Sequence, residues 1–154
     1  MLFDPKHEEP LEVLEIQLRR DHALTPDLIS NVIEATRLPR IKRTGKVAQI
    51  DQLIEAGAWS DAALALIELE LPAWKLRRLV YEDGEWLCSL SSHPNLSVAL
   101  DDTVDARHEV LPLAILSAFV EARRRASAMR ETSLQTVPPV RQSSGYAICC
   151  GNFR

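Results

Sequence analysis

The sequence is poor in glycine and in aromatic side chains. Five glycines among 154 residues leave little material for the glycine-rich loops that cradle phosphates, and no GxGxxG, GxxxxGK[ST] or GxSxG motif is present. Nucleotide chemistry of the common kinds is therefore not expected. Aromatic residues make up 5% of the chain, so aliphatic side chains must supply most of the core.

Cysteine is also scarce, and long apolar runs are missing. The cysteines are Cys88, Cys149 and Cys150, an odd number with two adjacent, which fits neither a disulfide framework nor a zinc ribbon. No apolar run reaches the roughly 18 residues that indicate a membrane span. The first residues carry acids and prolines instead of the basic and apolar segments of a signal peptide. These features predict a cytoplasmic protein with reduced thiols.

Hydrophobic periodicity predicts four helices in the first half of the chain. The first covers about residues 10–20, and the second covers 26–38, with Thr25 as its N-cap. A third begins near Lys46 and ends at Gly57, where a left-handed cap is wanted. Ser60 is the predicted cap of the fourth helix, which runs to about residue 69.

The period changes to two in "RRLVYEDGEWLCSL", which predicts a β-hairpin. The Asp83-Gly84 pair is typical of a two-residue turn in which both residues have positive φ. That turn sets Tyr81 opposite Trp86 and Leu79 opposite Cys88. The register places Leu79, Tyr81, Trp86, Cys88 and Leu90 on one face of the hairpin, and Trp74, Leu76, Val80 and Leu87 on the other.

The run "NLSVAL", residues 95–100, alternates apolar and polar side chains and predicts a third strand. A last helix is expected to start near Leu111, because Pro112 is tolerated only in a first turn. The predicted fold class is α+β: N-terminal helices, a three-stranded antiparallel β-meander, and a C-terminal helix packed on the sheet. The predicted parts are a helical pair (8–38), a basic connector (39–45), an α+β core (46–130) and a flexible tail (131–154).

Two groups of side chains are candidate sites in the second half of the chain. A pocket between the hairpin and the last helix would bind a small molecule through Arg77, Tyr81, Trp86 and His108. The simpler interpretation is a cross-strand aromatic pair that only stabilises the hairpin. A cluster before the last helix resembles a cation site, but acids are also typical of a helix N-terminus. Its members are Asp101, Asp102, Asp105, His108 and Glu109. The sequence "HEVLP" has Pro112 where a zincin motif needs its second histidine.

Neither a catalytic residue nor a bound metal or cofactor is indicated by these patterns. Cys88, His93 and His108 are the remaining nucleophile or soft-metal candidates. Cys88 is predicted to face the core, where cysteine acts as a small hydrophobe. No orienting carboxylate at a known spacing accompanies them.

The segment "RLPRIKRTGK" concentrates positive charge in a chain whose net charge is −4. Its basic residues are Arg37, Arg40, Lys42, Arg43 and Lys46. They could neutralise nucleic-acid phosphates or the acidic side of a partner. The low pI of about 5.6 instead favours a solvated linker that offsets the acidic first helix.

Between Ala48 and Arg124 the chain resembles small proteins of α-proteobacteria to which no activity is assigned. The resemblance is carried by "ALIELELPAWKLRRLVYEDGEWLCSL" and "HEVLPLAIL". It implies a bacterial cytosolic origin and carries over no catalytic residue. The ending "SSGYAICCGNFR" departs from the pattern.

The sequence favours a non-enzymatic interaction or regulatory module over an enzyme. It has apolar helical faces in excess and no coherent reaction site. The first two helices are expected to bind a protein partner or a second copy of the chain. Small-molecule binding at the hairpin pocket is the alternative, and DNA binding through residues 37–46 is a further one.

Overall fold

The computed structural model describes residues 9–36, 44–97 and 99–134, which form an α+β fold. The helices are α1 (Glu9–Arg20), α2 (Pro26–Thr36), α3 (Thr44–Glu55), α4 (Trp59–Glu70) and α5 (Leu111–Leu134), and the strands are β1 (Lys75–Glu82), β2 (Glu85–Ser91) and β3 (Thr103–His108). The strands form an antiparallel sheet in the order β1-β2-β3, and α5 packs on it. The predicted fold class is confirmed.

The N-terminal helices follow the local signals of the sequence. Thr25 accepts a hydrogen bond from the Leu28 amide at 3.2 Å through its hydroxyl and so caps α2. Gly57 has a φ of +71° at the end of α3, and the next amide, that of Ala58, donates to the Leu53 carbonyl at 2.8 Å. The predicted Ser60 cap is wrong, because α4 begins at Trp59 and Ala58 holds the N-cap position.

The β1–β2 hairpin has the register that its turn residues predict. Asp83 and Gly84 have φ values of +55° and +85°. Tyr81 pairs with Trp86 and Leu79 with Cys88. The Tyr81 and Trp86 rings lie 5.2 Å apart between centroids, with their planes tilted by 54°.

A β-bulge separates the two ends of β1 and corrects the predicted faces. The register shifts between Leu76 and Arg78, which leaves Leu76 opposite Leu90. Paired residues share a face, so Leu76 lies on the same side as Leu90 and not with Val80. Strict alternation over the whole strand was the wrong assumption.

The third strand is not the predicted one. β3 runs from Thr103 to His108, and Val104 pairs with Leu90. Residues 94–95 and 99–100 are turns and residue 96 is a bend, and both Leu96 and Leu100 are exposed. The "TVDARH" strand has one fully buried apolar residue, Val104. Its hydrophobic alternation is therefore weaker than that of "NLSVAL".

Helix α5 is the centre of the core. It begins at Leu111, as predicted, and continues to Leu134 instead of ending at residue 130. Every residue from Leu113 to Val120 is buried. A helix that is buried on all sides needs neighbours on all sides, and α5 packs against β2, β3, α1, α2 and α4.

The side chain of Arg123, on this central helix, binds the end of α2. The Arg123 guanidinium is buried and donates to the Thr36 carbonyl at 3.4 Å. Thr36 is the last residue of α2, where carbonyls lack helical partners. In the described part of the chain, no helix is long and apolar enough to pass through a membrane.

Candidate functional site

The predicted ligand residues do not share one site. Tyr81, Trp86 and His108 form a row across the three strands, since Trp86 pairs with both of the others. Arg77 lies toward the opposite end of the sheet, where its guanidinium pairs with the Asp101 carboxylate. Tyr81 is 57% exposed, so the aromatic pair lies at the protein surface near the turn of the hairpin.

The interface between the hairpin and α5 is filled by apolar side chains. Cys88 and Leu90 on β2 have no exposed surface, and neither do Leu113 and Leu116 on α5. His108 is 7% exposed and accepts a hydrogen bond from the Val110 amide at its Nδ1, at 2.9 Å. These positions give no support for a shared pocket, which stays a prediction.

The predicted acidic cluster is dispersed among separate partners. Asp101 accepts hydrogen bonds from the Ser91 hydroxyl at 2.5 Å and from the His93 amide at 3.0 Å. Asp102 pairs with Arg125 at 2.9 Å. Asp105 lies on β3 and accepts a bond from the Ser89 hydroxyl. Among the described residues, no group of three or more histidine, cysteine, aspartate or glutamate side chains could hold a metal ion.

Asp101 is held as a carboxylate by this network. Burial alone would raise the pKa of its carboxyl. The bonds from Ser91, from the His93 amide and from the Arg77 guanidinium outweigh burial and lower the pKa below its ordinary value of 3.8. The carboxylate therefore fixes the loop between β2 and β3 at neutral pH.

Neither Cys88 nor His93 forms a nucleophilic centre. Burial, together with the charge of Asp105, raises the pKa of the Cys88 thiol to about 12, so the reactive thiolate is not populated near neutral pH. His93 is exposed in the β2–β3 loop, with its Nδ1 at 2.9 Å from the Ser92 hydroxyl. The other two cysteines, at 149 and 150, lie outside the described residues.

The basic segment is almost entirely outside the described residues. Arg37, Arg40, Lys42 and Arg43 belong to the undescribed range 37–43. Lys46 is exposed on the first turn of α3. A nucleic-acid site at 37–46 stays a prediction.

An exposed apolar surface lies on α1, one of the two helices that the sequence predicts to bind a partner or a second copy. Leu11, Leu14 and Leu18 point into the core, whereas Val13 is 63% exposed and Ile16 is 53% exposed. Beside Val13, a groove of about 600 Å³ runs between α1 and α2. Its lining residues are Pro10, Val13, Leu14, Gln17, Asn31, Glu34 and Ala35. The apolar stripe in the sequence of α1 is wider than the face that the core can bury. The three leucines fill that face, and Val13 and Ile16 are left exposed.

No protein-family model, curated protein or solved structure matches the chain. The resemblance to α-proteobacterial proteins, and the origin it implies, stay predictions.

Proposed function

We propose that the protein is a non-enzymatic interaction module that pairs with a second copy of itself through the exposed face of α1. The observation that carries this proposal is the combination of Val13 and Ile16, two large aliphatic side chains more than half exposed on one helix. Removing such side chains from water on association stabilises a complex. The adjacent groove between α1 and α2 offers further surface to the second copy.

The charges of α1 favour a second copy as the occupant. Residues three and four apart share a helix face, so Glu12, Ile16 and Arg20 form one line along α1. In an antiparallel pair of α1 helices centred on Ile16, Glu12 of one copy faces Arg20 of the other, twice over by symmetry. Neither side chain has an ion-pair partner within the described residues. The surface is therefore complementary to itself in charge as well as apolar at its centre.

Sedimentation equilibrium over a range of protein concentrations tests this pairing. The wild-type chain is expected to form a dimer, and Ile16→Glu is expected to abolish it, because a buried unpaired carboxylate would face its own copy. Leu100→Glu is the matched control, since Leu100 is 74% exposed on the β2–β3 loop and its variant should dimerise as the wild type does. A chain that stays monomeric at the highest attainable concentration contradicts the proposal.

Charge reversal identifies the orientation of the two copies. Glu12→Arg alone creates two repulsive pairs and should weaken the dimer roughly tenfold. Arg20→Glu alone should do the same. The double variant restores both pairs with opposite sign, and its affinity should return toward the wild-type value at low salt. If the double variant is weaker than both single variants, the antiparallel arrangement is wrong.

DNA binding through residues 37–46 remains a second prediction of the sequence. A gel-shift titration at two salt concentrations tests it, because phosphate contacts weaken steeply as salt rises. An absent or salt-insensitive shift would contradict this alternative.

A further inference from the structure

A polar cleft lies between α1, the edge strand β3 and α5, away from the exposed line of Glu12, Ile16 and Arg20 on α1. Its volume is about 470 Å³, within the range of small-molecule sites. Glu15 and Arg19 line it from α1, Arg107 from β3, and Ser117, Glu121 and Arg124 from α5. None of the four residues of the predicted hairpin pocket lines it.

A buried hydroxyl without a partner lies in this cleft. Ser117 is 8% exposed, and its Oγ makes no hydrogen bond within the part of the chain that the structure describes. A serine inside a helix ordinarily donates to the carbonyl four residues earlier, but the Ser117 hydroxyl does not. Because buried polar atoms in folded proteins are nearly always hydrogen-bonded, this hydroxyl is a group for a ligand to satisfy.

Ion pairs fix most of the charged walls. Arg124 bridges two carboxylates, at 2.7 Å from Glu121 and 3.3 Å from Glu15. Arg125 pairs with Asp102 and also reaches Glu121 at 3.5 Å. These contacts hold the guanidinium groups of Arg124 and Arg125 in place. They also neutralise the carboxylates of Glu15, Glu121 and Asp102. Three lining arginines thus pair with Glu15, Glu121 and Asp102, and the lining charges outside these ion pairs are Arg107 and Asp105.

Arg107 is the positive group left over. Its side chain forms no ion pair or hydrogen bond with another described residue, although it lines both this cleft and a smaller one of about 140 Å³ beside His108. A guanidinium presents a rigid fork of donors that matches a carboxylate. Because Arg107 is exposed and unpaired among the described residues, its guanidinium fork is accessible to an oxyanion.

The backbone of β3 supplies further donors. The Asp102 carbonyl accepts from the Ser92 amide on the β2 side, whereas the next carbonyl, that of Thr103, accepts from Arg125 at 2.8 Å on the opposite side. Backbone groups alternate in direction along a strand, so those of Asp105 and Arg107 point away from β2, toward the cleft. Their amides lie at the open edge of the sheet.

We propose that this cleft binds a small organic carboxylate, with its anionic group on Arg107 and the β3 edge and a polar group on the Ser117 hydroxyl. The carboxylates of Glu15, Glu121 and Asp105, which line the same cleft, favour a single negative charge, because a dianion such as phosphate would meet more repulsion from them. The ligand class is thus a monocarboxylate with a hydroxyl, amino or amide group, of a size that 470 Å³ admits.

Backbone-amide NMR titration of the full chain tests the site. The probes are acetate, lactate, glutamine and serine, with inorganic phosphate as the comparison anion. At least one of the polar carboxylates should give saturable shifts at Ala106, Arg107 and Ser117. Arg107→Gln should weaken that binding at least tenfold. Arg78→Gln is the matched control, because Arg78 is an exposed arginine on β1 and its loss should leave the affinity unchanged.

Ser117→Ala separates a binding role from a structural one. Its hydroxyl has no partner among the described residues, so the variant should be at least as stable as the wild type in thermal unfolding without ligand, yet bind the carboxylate several-fold more weakly. Saturation by phosphate alone, unchanged affinity in Arg107→Gln, or shifts confined to other regions would each overturn the proposal. Dimerisation through Ile16 is measured separately, so either proposal can fail without the other.

Discussion

The two connections of the β-sheet are held in different ways. The β1–β2 turn depends on backbone conformation alone: Asp83 and Gly84 have positive φ, and nothing lies within 4 Å of where a Gly84 side chain would start. The β2–β3 loop depends on side chains, because Asp101 joins Ser91, the His93 amide and Arg77. The β1–β2 turn is therefore specified by adjacent residues, whereas the β2–β3 loop is specified only once residues from distant parts of the chain are in contact.

Leu90→Ala tests strand β2, which both connections join, and we expect the largest effect from it. Leu90 has no exposed surface and pairs with Leu76 on one side and Val104 on the other. Truncating a fully buried leucine costs about 2–5 kcal/mol of unfolding free energy. Urea denaturation measures it, and Leu100→Ala, at an exposed position on the β2–β3 loop, should stay within about 0.5 kcal/mol of the wild type. A loss below about 1 kcal/mol at Leu90 would show that β2 does not carry the core.

The sequence was sufficient wherever a short segment determined its own structure. The hairpin register follows from Asp83-Gly84, and the start of α5 follows from the position of Pro112. The glycine cap of α3 is of the same kind. Each depends on φ preferences that a few neighbouring residues set.

The sequence was insufficient wherever tertiary partners decided the outcome. "NLSVAL" has the better alternation, but "TVDARH" forms β3, where Asp105 bonds to Ser89 and Arg125 binds the Thr103 carbonyl. The cleft was invisible for the same reason, since its arginines come from α1, β3 and α5. Such pairings between distant segments leave no periodic trace in the chain.

Asp101→Asn should remove the contribution of the β2–β3 loop to the acid sensitivity of the folded state. The folded pKa of Asp101 is lowered below 3.8, so its ionised form contributes stability above that pH, and this contribution is lost as the pH falls through the folded pKa. The asparagine variant should have a lower Tm at neutral pH. Its amide has no charge, and an NH₂ group replaces one of the two carboxylate oxygens that accept hydrogen bonds. The difference in Tm between the two proteins should shrink below pH 3.8. A difference that stays constant on the acid side would show that the charge of Asp101 contributes nothing.

Gly84→Ala tests the first connection and has the smallest expected effect. A left-handed conformation costs a residue with a side chain roughly 1–2 kcal/mol, whereas the alanine restricts the unfolded chain and returns about 0.4–1 kcal/mol. The net loss in urea denaturation should therefore be about 1 kcal/mol, with no steric contribution, because the site is open.

Gly45→Ala is the control for this variant, since Gly45 is equally open and has no positive φ. It lies in the first turn of α3, where alanine should be neutral or stabilising by up to about 1 kcal/mol. Opposite signs at the two glycines would show that backbone conformation, and not crowding, specifies the hairpin. If both variants lose stability equally, the turn has no special requirement at Gly84, and the contrast between a locally specified connection and one held by Asp101 fails.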